Sequence, residues 1–101
     1  MVHKFDPKAI ADYLRAYRRF KGHTLAMLAS YTGLSVATIY NLEVGKLASL
    51  ESIYAIACHH GLLMSTIFEF SEAASSVGID TAYERECPHL IEYRKIRTTY
   101  L

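Results

Sequence analysis

The chain lacks most of the features that would place a protein outside the cell or in a membrane. It has only two cysteines, Cys58 and Cys87, in 101 residues, too few for the disulfide framework of a small secreted domain. No apolar run approaches the roughly 20 residues of a membrane span, so we expect no membrane partner. The opening residues MVHKFDPKAIADY have no apolar stretch after their lysine, so we expect no signal peptide. These absences predict a cytoplasmic protein.

Tryptophan is also absent, and there is almost no net charge. Eight tyrosines and four phenylalanines supply the bulky side chains, and 51% hydrophobic with 21% charged residues is a globular composition. The net charge of +1 gives no reason to expect a polyanion. Yet residues 1–22 carry a local +4 (six Lys and Arg against two Asp), and residues 23–70 carry −2 (one Lys against three Glu). A nucleic acid would therefore be contacted mainly by the first helix and the loops.

Capping and turn residues mark the helix boundaries. The pair DP at 6–7 is typical of a helix start, and Gly22 ends this first helix. Thr24 and Ser35 suit the N-caps of a second and a third helix, separated by a turn at Gly33. Two further helices are predicted over residues 49–61 and 63–70 from apolar residues at helical spacing. The predicted fold class is all-α.

The pattern weakens after residue 70. Residues 71–90 are typical of a linker with a helical turn in it. Residues 89–101, HLIEYRKIRTTYL, fit a strand because Ile91 and Tyr93 alternate, and fit a helix because Pro88 stands at a suitable start. Both alternatives stay open. The predicted organisation is a domain over residues 1–70 and a C-terminal extension over 71–101.

Residues 14–68 resemble the Cro/phage-repressor (XRE-type) helix-turn-helix family. The resemblance is carried, in order, by Arg18, TLAMLA (24–29), TGLS (32–35), TIYNLEVGK (38–46), SLESIYAIA (49–57) and GLLMSTIF (61–68). It implies a five-helix repressor-like domain whose third helix enters the major groove of double-stranded DNA. It also implies a partly buried ion pair between Arg18 and Glu43.

The resemblance implies two sets of DNA contacts. The residues expected on base edges are Val36, Ala37, Thr38, Tyr40 and Asn41. The residues expected on phosphates are Thr24, Ser35, Lys46, Arg15 and Arg19. For the two arginines a solvated basic face is an equal alternative.

The third helix departs from the family in opening with Val36 and Ala37 instead of polar residues. These two side chains can pack on thymine C5-methyl groups, and Asn41 suits a bidentate contact with adenine. The alternative is that Leu25, Val36 and Ala37 form an exposed apolar surface for another protein. The chain would then be an interaction module of antitoxin or antirepressor type.

Other chemistry is not indicated. The stretches CHHG (58–61) and CPH (87–89) contain zinc ligands, but neighbouring residues on a helix point about 100° apart. No tight Cys-x₂-Cys or His-x₃-His pair is present, so we expect no metal and no cofactor. No phosphate loop or nucleophile motif is present, so we expect no enzyme.

The extension offers apolar surface for a homodimer, which helix-turn-helix proteins often need to reach two half-sites. The candidate interface residues are Leu90, Ile91, Tyr93 and Ile96. The alternatives are packing on the chain's own core and a basic arm that reaches DNA. The predicted function is a cytoplasmic, sequence-specific transcriptional regulator, a repressor of a partly palindromic operator.

Overall fold

The computed structural model describes residues 6–46 and 49–94. Within these residues the chain is all-α, without a strand, which confirms the predicted fold class. The helices are α1 (Pro7–Phe20), α2 (Leu25–Thr32), α3 (Val36–Glu43), α4 (Leu50–His60), α5 (Met64–Val77), α6 (Ile79–Glu86) and α7 (Ile91–Arg94), with a 3₁₀ turn (Pro88–Leu90) before α7.

The first four helices begin at the capping residues that the sequence indicates. The Asp6 carboxylate accepts from the backbone N–H groups of α1, and the hydroxyls of Thr24, Ser35 and Ser49 accept from the third residue after each of them. These bonds satisfy N–H groups that have no partner inside the helix.

The core is built around α1, which contacts α3, α5 and α7. Ile10 and Leu14 of α1 are almost fully buried, and Tyr13 packs its ring 4.9 Å from that of Phe70. Leu28 and Ile39 bring α2 and α3 into the same apolar cluster. Burial of this shared cluster is the main force that holds the helices together.

The interpretation of residues 71–90 as a linker is wrong. Helix α5 continues to Val77, and α6 follows after a one-residue break at Gly78. Phe70 and Ala74 lie one turn apart on the buried side of α5, and Tyr83 of α6 is fully buried. Of the two alternatives after Pro88, the structure has the helical one as far as Arg94.

The described part of the extension, residues 71–94, packs on the chain's own core, one of the alternatives left open for the extension. Residue 70 lies inside α5, and core residues come from both sides of it. A polar cluster adds to the apolar contact, because Asp12 of α1 accepts hydrogen bonds from the Tyr83 hydroxyl (2.5 Å) and from Nε of Arg94 (2.9 Å). The same arginine bonds Asp80 at 2.7 Å.

No single described helix is long and apolar enough to cross a membrane. Two helix pairs, α2 with α3 and α4 with α5, reach the length and composition only when joined across bends of 116° and 111°. Apolar core helices pass the same test.

Candidate nucleic-acid interface

Helices α2 and α3 form a two-helix unit with a sharp turn. Their directions differ by 116°, within the usual range for a helix-turn-helix. Gly33 ends α2 in the left-handed conformation with φ of 78°, and its N–H donates to the carbonyl of Ala29. The Thr32 hydroxyl donates to the Leu28 carbonyl at 2.8 Å, which closes the last turn of α2.

Helix α3 has two chemically different faces. Ile39 and Leu42 are at most 3% exposed and pack into the core. The opposite face is solvent-accessible: Val36 is 44% exposed and Tyr40 51% exposed. The remaining candidates for base contact lie with them, Ala37 and Asn41 being exposed and Thr38 half-buried. Four of the five residues expected on base edges therefore lie on the outer side of α3, and Thr38 lies at its border.

The orientation of α3 is fixed by a buried ion pair. Arg18 Nε donates to Glu43 Oε2 at 2.7 Å, and its Nη2 donates to Oε1 at 2.9 Å. The two side chains are 1% and 5% exposed. The third guanidinium nitrogen, Nη1, donates to the His23 carbonyl at 2.8 Å. One side chain of α1 thus holds both the end of α3 and the turn before α2.

Three of the expected phosphate contacts lie at helix ends. Thr24 and Ser35 cap α2 and α3, where N–H groups and the helix dipole favour an anion. Ser35 also donates from its hydroxyl to that of Thr38 at 2.8 Å. Lys46 is exposed just after α3, beyond Gly45, whose φ is 86°.

The two arginines expected on phosphates are engaged within the chain. Arg15 lies 3.5 Å from Asp12, and Arg19 donates to the Tyr93 carbonyl at 3.2 Å. Burial, and then the nearby Arg15, lowers the pKa of Arg19. Arg19 therefore lies against the C-terminal extension, Arg15 is paired within α1, and Arg18 faces α3. The geometry favours a structural role for both arginines.

Lys8 is a basic residue that the sequence analysis did not single out for DNA. A Cβ added at Gly45 would lie 3.3 Å from its Cγ, so Lys8 runs beside the end of α3 at the residue that precedes Lys46. Its side chain is exposed. The sequence shows that residues 1–22 are basic. Only the packing of α1 on α3 shows which of their lysines lies at the end of α3.

Leu25 does not belong to an exposed apolar surface. It is 9% exposed and is part of the core cluster, because the first turn of α2 faces inward. Of the three residues considered for an exposed apolar surface, only Val36 and Ala37, at the start of α3, are exposed.

The expected dimer residues occupy different environments. Leu90 is fully buried in the protomer, so it offers no surface to a second copy. Ile91 and Tyr93 are half-buried, with the Tyr93 ring 5.5 Å from that of Phe20. Ile96 lies outside the described residues.

A histidine cluster also escaped the sequence analysis. The structure joins His23, from the turn before α2, to His59 and His60 at the end of α4, with all three ligand atoms within 4.8 Å of one another. Burial lowers the pKa of His60 to about 4 and also lowers that of His23. The stretches CHHG and CPH had drawn attention to His59 and His60, together with Cys58, which is exposed, and Cys87, which is buried. His23, far from both stretches in sequence, was not expected beside them.

Comparison with known proteins agrees with the two-helix geometry. The family model described as Helix-turn-helix matches residues 14–63, from the middle of α1 to the residue before α5. Neither the curated proteins nor the solved structures contain a match to the chain. The matched segment contains Arg18, Gly33, the outer face of α3 and Glu43. The chain belongs to the Cro/C1-type (XRE) helix-turn-helix family of DNA-binding regulators.

Proposed function

We propose that this chain is a sequence-specific repressor that binds a partly palindromic operator in the cytoplasm. The observation that carries the proposal is the division of α3 into an inner face fixed by the core and an outer face free to meet DNA. Val36 and Ala37 would pack on thymine methyl groups, Asn41 would bond adenine, and the hydroxyls of Thr38 and Tyr40 would bond other base edges. Occupancy of the operator would then exclude polymerase.

The phosphate contacts come from both ends of the helix-turn-helix. Thr24 and Ser35 present helix N-termini to the backbone, which positions the protein without reading sequence. Lys46 and the neighbouring Lys8 would neutralise phosphates beyond the other end of α3. Each such contact releases a counterion, so binding weakens linearly with the logarithm of salt concentration.

A homodimer would place two copies of α3 in successive major grooves, about one helical turn apart. Ile91 and Tyr93 keep partial exposure on the C-terminal segment and are the described residues that we assign to this interface. Leu90 is excluded from it because its side chain lies in the core.

The test is selection of binding sites from a random duplex pool, followed by fluorescence anisotropy on the selected site across a salt series. We expect a T-rich palindrome bound by two chains, with a negative linear slope in log salt. No enrichment, or binding that is indifferent to sequence, would overturn sequence readout.

Matched variants locate the contacts. Asn41→Ala should lose about 1–3 kcal/mol of discrimination at one base position. Tyr40→Ala should weaken specific binding, while Tyr54→Ala, which removes an equally exposed tyrosine from α4 (59% against 51%), should not.

Lys46→Gln should reduce the salt slope by about 1, and Arg85→Gln, an exposed residue of α6, should leave it unchanged.

The exposed apolar start of α3 also fits the second candidate, an interaction module of antitoxin or antirepressor type. In that case Val36 would contact a protein. Val36→Ser would then spare DNA affinity but abolish co-purification with the partner, and Asn41→Ala would leave function intact.

A further inference from the structure

We propose that His23, His59 and His60 form a binding site for a divalent transition-metal ion of the zinc class, with the remaining position open to solvent. The site is separate from the outer face of α3 and does not depend on what that face binds. It joins the turn before α2 to the last turn of α4.

The three imidazoles converge although two of them are neighbours in sequence. Their ligand nitrogens all lie within 4.8 Å of one another. The ring centroids of His59 and His60 are 5.2 Å apart, and that of His23 lies 5.4 Å and 6.0 Å from them. Tetrahedral zinc with bonds of about 2.0–2.1 Å holds its ligands roughly 3.3 Å apart. Rotation of the imidazole side chains would have to close a difference of up to about 1.5 Å.

Two of the ligands are already held in place, and the third can adjust. The His23 backbone is fixed at both ends, since its N–H donates to the Arg18 carbonyl at 3.1 Å and its C=O accepts from Arg18 Nη1 at 2.8 Å. His60 is 8% exposed, with its ring 4.9 Å from that of Tyr17. His59 is exposed and can rotate onto an ion.

The nitrogens of this cluster have unused bonding capacity. Among the described residues, none forms a hydrogen bond with Nδ1 of His23 or with either nitrogen of the buried His60. The aromatic contacts give these nitrogens no hydrogen bond, because Tyr17 and Tyr31 approach the imidazoles as ring partners. Unpaired buried polar atoms are costly, and coordination to a metal would give a partner to one nitrogen of each ring.

The donor set selects the class of ion. Neutral imidazole nitrogens suit zinc, copper and nickel, whereas calcium and magnesium require oxygen ligands. Three histidines with an open fourth position is a known zinc arrangement. Arg18 and Lys21 act on these histidines electrostatically, and their positive charge both favours neutral imidazole and opposes a cation. We therefore expect a reversible site rather than a permanently loaded one.

The experiment is titration of the full-length chain, without a polyhistidine tag, with Co²⁺ and then Zn²⁺. We expect one Co²⁺ per chain, a visible absorption band of tetrahedral cobalt, and loss of that band when Zn²⁺ is added. Zn²⁺ should raise the melting temperature, because the unfolded chain has no assembled site, and Mg²⁺ should not. Absence of saturable Co²⁺ and Zn²⁺ binding would overturn the proposal.

Single-residue variants decide which residues are ligands. His59→Gln changes an exposed side chain and should fold normally by circular dichroism, yet lower Zn²⁺ affinity by more than the roughly 10–100-fold effect of losing a supporting group. His23→Gln should act likewise. His89→Gln, an exposed histidine against the Phe20 ring, should keep wild-type affinity.

Two results would contradict the ligand assignment. One is unchanged Zn²⁺ affinity in folded His59→Gln. The other is loss of binding in Cys58→Ser, which would show that a thiolate from the exposed Cys58 takes part and that the three-histidine site is wrong.

Discussion

At the scale of single residues, Arg18 connects more parts of the fold than any site residue of α3. It is 1% exposed and donates to Glu43 and to the His23 carbonyl. A charge so deeply buried is stable only with its partner, because the Coulomb attraction must offset the loss of hydration of both ions. We therefore expect the pair to specify how α3 sits on α1 more than it adds stability.

Arg18→Ala should lower the free energy of unfolding by about 3–5 kcal/mol, since it leaves the Glu43 carboxylate buried without a partner. The measurement is urea denaturation followed by far-UV circular dichroism. Arg15→Ala is the matched control, because its pair with Asp12 is partly exposed (31% and 19%) and should cost about 1 kcal/mol or less.

The stability lost in Arg18→Ala has two components, the stranded Glu43 charge and the lost hydrogen bonds. The double variant Arg18→Met with Glu43→Leu separates them. It removes both charges and keeps the volume, so we expect it to recover most of the stability lost in Arg18→Ala. A double variant no more stable than the single one would show that the hydrogen bonds themselves, and not the stranded charge, dominate.

At the scale of elements, the turn between α2 and α3 depends on one backbone conformation. Gly33 has φ of 78°, and a Cβ added there would meet nothing within 4 Å. Gly33→Ala is therefore penalised by backbone strain alone, about 1–2 kcal/mol. Gly61, which ends α4, has φ of 72° and equally open surroundings.

We expect Gly33→Ala and Gly61→Ala to lose similar stability in urea denaturation. Only Gly33→Ala should also weaken binding to the selected operator in anisotropy, since relief of the strain shifts α3 relative to α2. Equal effects of both variants on DNA affinity would mean that the angle between α2 and α3 tolerates the change.

The sequence is sufficient to predict α1 to α4 because their ends are marked by local chemistry. A cap at Thr24 or Ser35 needs only its own next turn, so it is visible without tertiary structure. Residues 71–77, SEAASSV, carry small side chains with weak apolar periodicity, and their helix is stabilised by contacts with α1 and α6. Such stabilisation depends on distant residues, and the linker interpretation failed there.

The same distinction holds within the site. The inward positions Ile39 and Leu42 follow from helical periodicity, and the resemblance to the helix-turn-helix family implies Val36, Tyr40 and Asn41 as the outward residues. Two other contacts could not be placed from sequence. Arg19 bonds a carbonyl 74 positions away, and His23 approaches His59 only because α2 packs on α4. The resemblance to a family gave no information about either contact.

At the scale of the whole molecule, the helix-turn-helix and the C-terminal segment share one core. Tyr83 and Leu90 are fully buried in the same cluster as Leu28 and Ile39. The cluster around Asp12 adds polar contacts between α1 and the residues from Asp80 onward. A perturbation in the extension should therefore reach α3.

Leu90→Ala should lower the free energy of unfolding by about 2–5 kcal/mol, because it removes fully buried apolar atoms and leaves a cavity. If the chain unfolds as one unit, the amide of Leu42 in α3 should exchange with solvent on the order of 30-fold faster or more, as 1.4 kcal/mol corresponds to a factor of ten. Ile91→Ala, at the half-buried neighbouring position, should have a smaller effect on both. Unchanged exchange at Leu42 in Leu90→Ala would instead mean that the extension opens without the helix-turn-helix, and that the two parts fold as separate units.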